Sequence, residues 1–172
     1  MEALALRQEL AISVDTSKPE VMRAAVAAGA GFINDVQALR RPGALTTAAM
    51  LGVPVCLMHM RGTPASMQEA PTYVDPLAEV AGFLRERVVA CERAGIPPHR
   101  LILDPGFGFG KTLDHNLALL AGLGRLAELG LPAVLCLNMA DEAQSRGISV
   151  DVERLAARLG LPVVSTVATR GE

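Results

Sequence analysis

A short pattern that ends a helix and begins a buried strand occurs three times in this chain. It reads Leu-Gly-Val-Pro at 51–54 and Leu-Gly-Leu-Pro at 129–132 and 159–162, and an apolar run follows each proline. The glycine can adopt the left-handed conformation that ends a helix, and the proline prevents the helix from continuing. The pattern therefore predicts repeated αβ junctions, which are typical of α/β proteins with a parallel sheet.

Six apolar runs are the predicted strands of this sheet. They are Ala11–Asp15, Phe32–Val36, Val53–Met58, Leu101–Asp104, Ala133–Asn138 and Val163–Val167. The runs are continuously apolar rather than alternating, as expected for a parallel sheet that is covered on both faces. The predicted fold class is α/β, with parallel βα units that form either a partial TIM-barrel-like sheet of about six strands or an open parallel sheet. Helices should pack outside, and consecutive strands should be neighbours.

Helical patterns lie between the predicted strands. Ser17 to Glu20 has the form of a capping box with a proline in the first turn, and Asp75 precedes a second helix that begins with Pro76. A later pattern has the spacing of one apolar helix face. Its members are Leu117, Leu120, Leu123 and Ala127.

Composition excludes several classes of protein. The chain has 172 residues, enough for one α/β domain (1–172), and 51% of them are hydrophobic, which excludes a disordered chain. The formal charge of -2 gives no basic surplus for binding nucleic acid or an anionic membrane.

The apolar runs are too short to span a bilayer, and the first ten residues lack the apolar run of a signal peptide. Three scattered cysteines suit free thiols, so a cytoplasmic location is predicted.

Polar residues recur where the predicted strands end, and ligands of α/β proteins bind at this edge. Ser17 and Asp141 either belong to such a site or cap the helices that follow them. Asp15, Asn34 and Asp104 are less easily explained as caps. A carboxylate accepts two adjacent N–H groups, and an asparagine supplies both a donor and an acceptor. Together the three residues predict a site for a flat, donor-rich heterocycle.

Four motifs at these strand ends resemble those of dihydropteroate synthase. They are Ser13–Lys18, Ile33–Asp35, Cys56–Met60 and Leu103–Lys111. The resemblance covers about residues 11–131 and implies a (β/α)8 barrel that joins 4-aminobenzoate to a pterin pyrophosphate in the folate pathway. It also implies a set of pterin-binding residues. These are Asp15, Asn34, Met58, Asp104 and Phe109.

The sequence also departs from that family. Only about ten residues precede the first motif, so the family's first two βα units, with the asparagine that binds Mg²⁺, have no counterpart. Asn138 to Asp141 stand where the family has Met-Ser-Arg-Lys, and the family's last strand, with its Arg and His, is also without a counterpart. We therefore expect a fragment that retains part of the pterin pocket, lacks catalytic competence, and holds no metal or other cofactor. No residue is assigned a catalytic role.

Residues 132–172 resemble the G domain of bacterial ferrous-iron transporters. The similarity rests on Val134–Asp141 and Leu159–Val164, and it implies that Asn138 and Asp141 read a guanine base. The chain is thus predicted to be a chimera, engineered or natural, that is joined inside Leu129–Val134. Two alternatives to the pterin-binding fragment stay open: an engineered scaffold without activity, and a weak guanine-nucleotide binder.

Three further patterns were interpreted from spacing. Gly106 to Thr112 approaches a phosphate-binding P-loop, but only three residues separate Gly106 from Gly110 where the loop needs four, so nucleotide hydrolysis is not predicted. His59 lies between two methionines of an inner strand and should pack beneath a helix rather than act as a base. The open edges of a partial sheet predict self-association.

Overall fold

The computed structural model of the chain describes residues 11–63, 66, 67, 69–127 and 133–167. These residues form two compact units, which divide between Leu119 and Leu120. Parallel strands alternate with helices in both units, so the predicted α/β fold class is confirmed. Within the described residues, no helix is long and apolar enough to cross a membrane. The assignment of 11–131 and 132–172 to two different origins stays a prediction.

The first unit contains a four-stranded parallel sheet. Its strands are β1 (Ser13–Asp15), β2 (Phe32–Asp35), β3 (Val55–Met58) and β4 (Leu101–Asp104). Their spatial order is β1-β2-β3-β4, so each strand lies beside its predecessor in the chain, as predicted. The strands agree with four of the predicted apolar runs, although β1 and β3 begin two residues later than expected.

Helices follow each of the four strands in the chain. They are α1 (Pro19–Ala27), α2 (Ala44–Leu51), α3 (Pro76–Arg93) and α4 (Leu113–Ala121), with a 3₁₀ turn at Pro98–Arg100. Ile33, Val55 and Leu57 of the sheet are buried against the helices in one hydrophobic core. Gly52 ends α2 with a φ of 69°, which confirms the junction predicted from the Leu-Gly-Val-Pro pattern.

The two predicted helix starts have different outcomes. Asp75 caps α3 as predicted, because its side chain accepts a hydrogen bond from the Ala78 N–H at 3.0 Å. The capping box at Ser17 is wrong, since Lys18 is the N-cap of α1 and makes no side-chain cap. The Ser17 hydroxyl donates to the carboxylate of Asp35 instead. Asp35 is fully buried and needs hydrogen-bond donors. The hydrogen bond from Ser17 to Asp35 therefore forms in place of a hydrogen bond between Ser17 and the first turn of α1.

The second unit is a smaller parallel βα arrangement. It comprises α5 (Leu123–Ala127), β5 (Leu135–Leu137), α6 (Ala140–Ser145), α7 (Val152–Leu159) and β6 (Val163–Ser165). β5 and β6 pair in parallel, and Gly160 ends α7 with a φ of 67°. The two remaining predicted strands are thereby confirmed in shortened form.

The apolar face predicted to run from Leu117 to Ala127 is wrong. Leu117 is 53% exposed, whereas Leu119 is fully buried. α4 ends at Ala121 and a separate helix begins at Leu123, so Leu117 and Leu123 do not belong to one continuous helix.

Candidate functional site

Four of the five residues predicted to bind a pterin share one face of the four-stranded sheet. Asp15 pairs in register with Asn34, and Asn34 pairs with Cys56. Met58 and Asp104 pair with each other two residues further along their strands. Register partners and residues two apart point to the same face of a sheet. These side chains therefore occupy the face opposite to the one that packs against the helices.

Hydrogen bonds orient the polar groups on this face. Asn34 Nδ2 donates to Asp15 Oδ2 at 3.1 Å, and the Gly106 N–H donates to Asp104 Oδ1 at 2.7 Å. Within the described part of the chain, the second oxygen of each carboxylate accepts no hydrogen bond. Both carboxylates thus keep an oxygen with which to accept an N–H group from a ligand.

The buried Cys56 thiol lies between the two carboxylates. Burial, together with the charges of Asp104 and Asp15, raises its pKa to about 12. Both carboxylates must lie close to the sulfur to act on it in this way. The thiol therefore stays protonated at neutral pH.

A feature that sequence reasoning missed is the buried ammonium group of Lys111. Its Nζ donates to the carbonyl oxygens of Gly106 at 2.8 Å and Phe109 at 3.0 Å, and it lies 3.1 Å from His59 Nδ1. Burial lowers the pKa of Lys111 to about 8, while the nearby Asp104 charge opposes that shift. A P-loop lysine contacts phosphate, whereas this one contacts backbone carbonyls, in keeping with the predicted absence of a P-loop.

His59 is packed beneath a helix, as predicted. It is 6% exposed, and its ring meets the ring of Phe83 on α3 edge-on at 5.0 Å between centroids. Burial, together with the charge of Lys111, lowers the pKa of His59 to about 4. The imidazole is therefore neutral at pH 7, and its Nδ1 is the acceptor that faces the ammonium group of Lys111.

The segment between β3 and α3 also contacts the loop after β4, in addition to the contacts of Lys111. The Tyr73 hydroxyl donates to the Gly110 carbonyl at 2.9 Å. The guanidinium of Arg61 lies 4.3 Å from the centre of the Tyr73 ring and pairs with Glu79 at 2.7 Å. Phe109, the fifth predicted pterin residue, is half-buried in the loop that these contacts hold. The loop therefore has fixed partners on both sides.

The second unit contains a cavity of about 510 Å³ beside Asn138. Leu137, Gln144 and Ile148 also line this cavity, but Asp141 is not among its described lining residues. Asp141 lies in the first turn of α6, where its Oδ1 accepts the Glu142 N–H at 2.9 Å. The two residues predicted to read guanine are thus not brought to the same wall.

Among the described residues, no group of three or more His, Cys, Asp or Glu side chains is arranged to hold a metal ion.

Parallel βα units with carboxylate and amide groups at the strand ends define an α/β protein with a polar edge of the kind at which such proteins bind ligands. The sequence profile of the family described as "Pterin binding enzyme" matches residues 1–162. The chain belongs to this family. The match runs across the junction predicted inside Leu129–Val134, part of which lies outside the described residues.

Similar proteins agree with this assignment. Dihydropteroate synthase from Escherichia coli (strain K12) is 48% identical over 170 residues, which are 97% of this chain and 59% of that protein. The crystal structure of dihydropteroate synthase from Stenotrophomonas maltophilia has a TM-score of 0.79 and 48% identity, covering 95% of this chain and 66% of that one. The Xanthomonas albilineans enzyme in complex with 7,8-dihydropteroate has a TM-score of 0.75 and 49% identity, with coverage of 95% and 63%. The chain thus spans about three fifths of its relatives' length.

Proposed function

We propose that the chain binds a pterin at the carboxyl edge of β1 to β4. The observation that carries the proposal is the placement of two carboxylates and one amide on one sheet face around Cys56. Asp104 would accept the ring N–H and the exocyclic amine of the pterin, and Asn34 and Asp15 would pair beside it. Met58 and Phe109 would contact the faces of the ring. The complex of the Xanthomonas albilineans relative with 7,8-dihydropteroate supports a ligand of this class.

Asp104→Asn is expected to weaken pterin binding by roughly ten- to a hundredfold, because it replaces an acceptor oxygen with an N–H donor. A hydrogen bond to a charged group contributes about 1.5–3 kcal/mol, which corresponds to that range of affinity. Isothermal titration calorimetry with a pterin measures the change. Asp151→Asn is the matched control, since Asp151 is an exposed helix cap in the second unit. Equal affinity in Asp104→Asn and wild type would contradict the assignment.

We also propose that the 172-residue chain does not form dihydropteroate at a useful rate. Loss of pyrophosphate needs cationic groups that stabilise the leaving group. Lys111 is buried against backbone carbonyls, and Arg61 is paired with Glu79. Asn138 to Asp141 provide no cation where the family has Arg-Lys. Lys18 is exposed after β1, but no contact directs it to a pyrophosphate.

Incubation with the pterin pyrophosphate, 4-aminobenzoate and Mg²⁺ is therefore expected to give no dihydropteroate above background. Loss of one electrostatic donor typically lowers a rate by about a hundred- to a thousandfold, and several are missing here. Chromatography of the reaction measures the product. Product that increases with protein concentration and disappears in Asp104→Ala would disprove this proposal.

A second candidate function is weak guanine-nucleotide binding in the second unit. The observation in its favour is the cavity of about 510 Å³ that Asn138 lines. The resemblance of residues 132–172 to a G domain, with the chimeric origin it implies, supports the same candidate. Ligand-detected NMR with a pterin and with GDP separates the possibilities. Binding of GDP that disappears in Asn138→Ala supports this candidate, and the absence of binding by either ligand supports a scaffold without activity.

Self-association through the sheet is proposed as well. Within the described residues, β1 and β4 each pair with one neighbour only, and Ile102 of β4 is 52% exposed. Unpaired strand edges and exposed apolar side chains favour association. We expect light scattering at high concentration to show a dimer or a larger species. A monodisperse species at the chain mass of 18.0 kDa would contradict this expectation.

A further inference from the structure

We propose that Lys111 is a positioning residue, whose ammonium group holds the loop after β4 so that Asp104 and Phe109 keep their places at the ligand edge. The inference rests on the proposed pterin binding for its functional consequence. Its structural basis is a cluster of contacts around Nζ, a buried group to which the resemblance assigned no role in pterin binding.

The cluster matches the geometry of an ammonium group. Nζ lies 2.8 Å from the Gly106 carbonyl oxygen, 3.0 Å from that of Phe109 and 3.1 Å from His59 Nδ1, with the His59 carbonyl oxygen at 3.3 Å. An ammonium group has three donors and no acceptor. Its partners come from two loops, the one after β3 and the one after β4, so a single side chain joins both.

The residue type fits this environment. The chain contains two lysines and fourteen arginines, and one of the two lysines stands at 111. A guanidinium is planar and directs its donors in a fixed fork, whereas an ammonium group is compact and can turn three donors toward three acceptors. Lys111 is 3% exposed. A buried charge of this kind requires polar partners, which the carbonyl groups and His59 provide.

Gly106 connects the ammonium group to the ligand edge. Its carbonyl oxygen accepts from Lys111 at 2.8 Å, and its N–H donates to Asp104 Oδ1 at 2.7 Å. The Phe109 N–H in turn donates to the same Gly106 carbonyl at 3.1 Å. Displacement of Gly106 would therefore move the acceptor Asp104 and the adjacent Phe109 together.

The positioning is expected to weaken with rising pH. Burial lowers the pKa of Lys111 to about 8, so deprotonation near that pH removes the charge and one of the three donors. The titratable or charged groups around the cluster come from every neighbouring element. Those on or after the strands are Arg40 after β2, Cys56 on β3, His59 and Arg61 after β3, and Asp104 at the end of β4. Those beside or on the helices are Tyr73 before α3, Glu79 on α3 and His115 on α4.

Lys111→Met tests the inference, with Lys18→Met as the matched control. Lys18 is the other lysine and is exposed. Pterin affinity is measured by calorimetry from about pH 6.5 to 9.5, and hydrogen exchange reports protection of the Gly106 and Phe109 amides. In wild type and Lys18→Met we expect affinity to fall across a midpoint near pH 8. In Lys111→Met we expect affinity about tenfold lower at pH 7, no such midpoint, and loss of both protections.

The outcomes of these measurements either support or overturn the positioning role of Lys111. A folded Lys111→Met protein with wild-type affinity, pH profile and amide protection would overturn the inference. If wild type binds no pterin, the proposed function fails, and the positioning role is judged from hydrogen exchange alone. Loss of protection of the Gly106 and Phe109 amides in Lys111→Met supports that role, and retained protection overturns it. If Lys111→Met does not fold, hydrogen exchange of the wild type below and above pH 8 is compared instead. Loss of protection of the Gly106 and Phe109 amides above pH 8 supports the positioning role, and unchanged protection overturns it.

Discussion

Gly106→Ala is expected to lower the free energy of unfolding by about 3–5 kcal/mol, in the range of severe core substitutions. Gly106 has a φ of 68°, which side chains other than glycine rarely adopt. A Cβ at this position would overlap the carbonyl oxygen of His59 and lie 3.2 Å from Met58 Cγ. The obstacle is backbone of the adjacent strand end, so the loop must move rather than a flexible side chain.

Gly108→Ala is the matched control for this prediction. Gly108 also has a positive φ, of 80°, but nothing lies within 4 Å of the position of its Cβ. It should therefore show only the conformational strain, about 1 kcal/mol. Urea unfolding followed by circular dichroism measures both variants. A difference of less than about 1 kcal/mol between them would show that the close approach of Gly106 to His59 is not real.

Asp35→Ala is the second substitution with a large expected effect, again about 3–5 kcal/mol of unfolding free energy. The fully buried carboxylate accepts the Ser17 hydroxyl, the Gln37 N–H at 2.8 Å and the Leu39 N–H at 2.9 Å. Each buried donor left without a partner costs about 1–3 kcal/mol. Leu39 and its neighbour Ala38 also have positive φ values of 58° and 51°, a strained turn that the carboxylate holds.

The control for Asp35 is the same substitution at an exposed helix cap. Asp75→Ala removes one hydrogen bond, from the Ala78 N–H, and should cost about 1 kcal/mol. Thermal unfolding of the two variants at one pH compares them directly. An Asp35→Ala protein as stable as Asp75→Ala would mean that the turn at 38–39 does not depend on the carboxylate.

The strands and their order were predictable because the determining signals are local. The helices that end at Gly52 and Gly160 lead into β3 and β6, and short connections place consecutive strands side by side. The third Leu-Gly-x-Pro segment, at 129–132, lies outside the described residues. β4 has the predicted bounds, Leu101–Asp104, because the 3₁₀ turn at Pro98–Arg100 precedes it and Pro105 and Gly106 follow it. The polar edge followed from the same reasoning, since parallel strands all end at one side of the sheet.

The errors and omissions concern side chains whose partners are distant in sequence. Ser17 has every local property of a cap, yet its partner Asp35 is eighteen residues away. Lys111 resembles part of a P-loop because its neighbours are glycines, but its environment includes His59, which is fifty-two residues away. The one local signal at Lys111 was the choice of lysine in a chain whose other cations are nearly all arginines. Spacing along the chain cannot show such pairs.

The order β1-β2-β3-β4 also bears on how the protein forms during synthesis. Because each strand pairs with the one before it, every new strand finds its partner already outside the ribosome. Among the described strands of this sheet, β1 waits for β2, and each later strand pairs with one that precedes it in the chain. Contacts between near neighbours in sequence form quickly, and proteins fold from the N-terminus as they emerge. The sheet of the first unit can therefore grow one strand at a time on the ribosome, before the second unit has been translated.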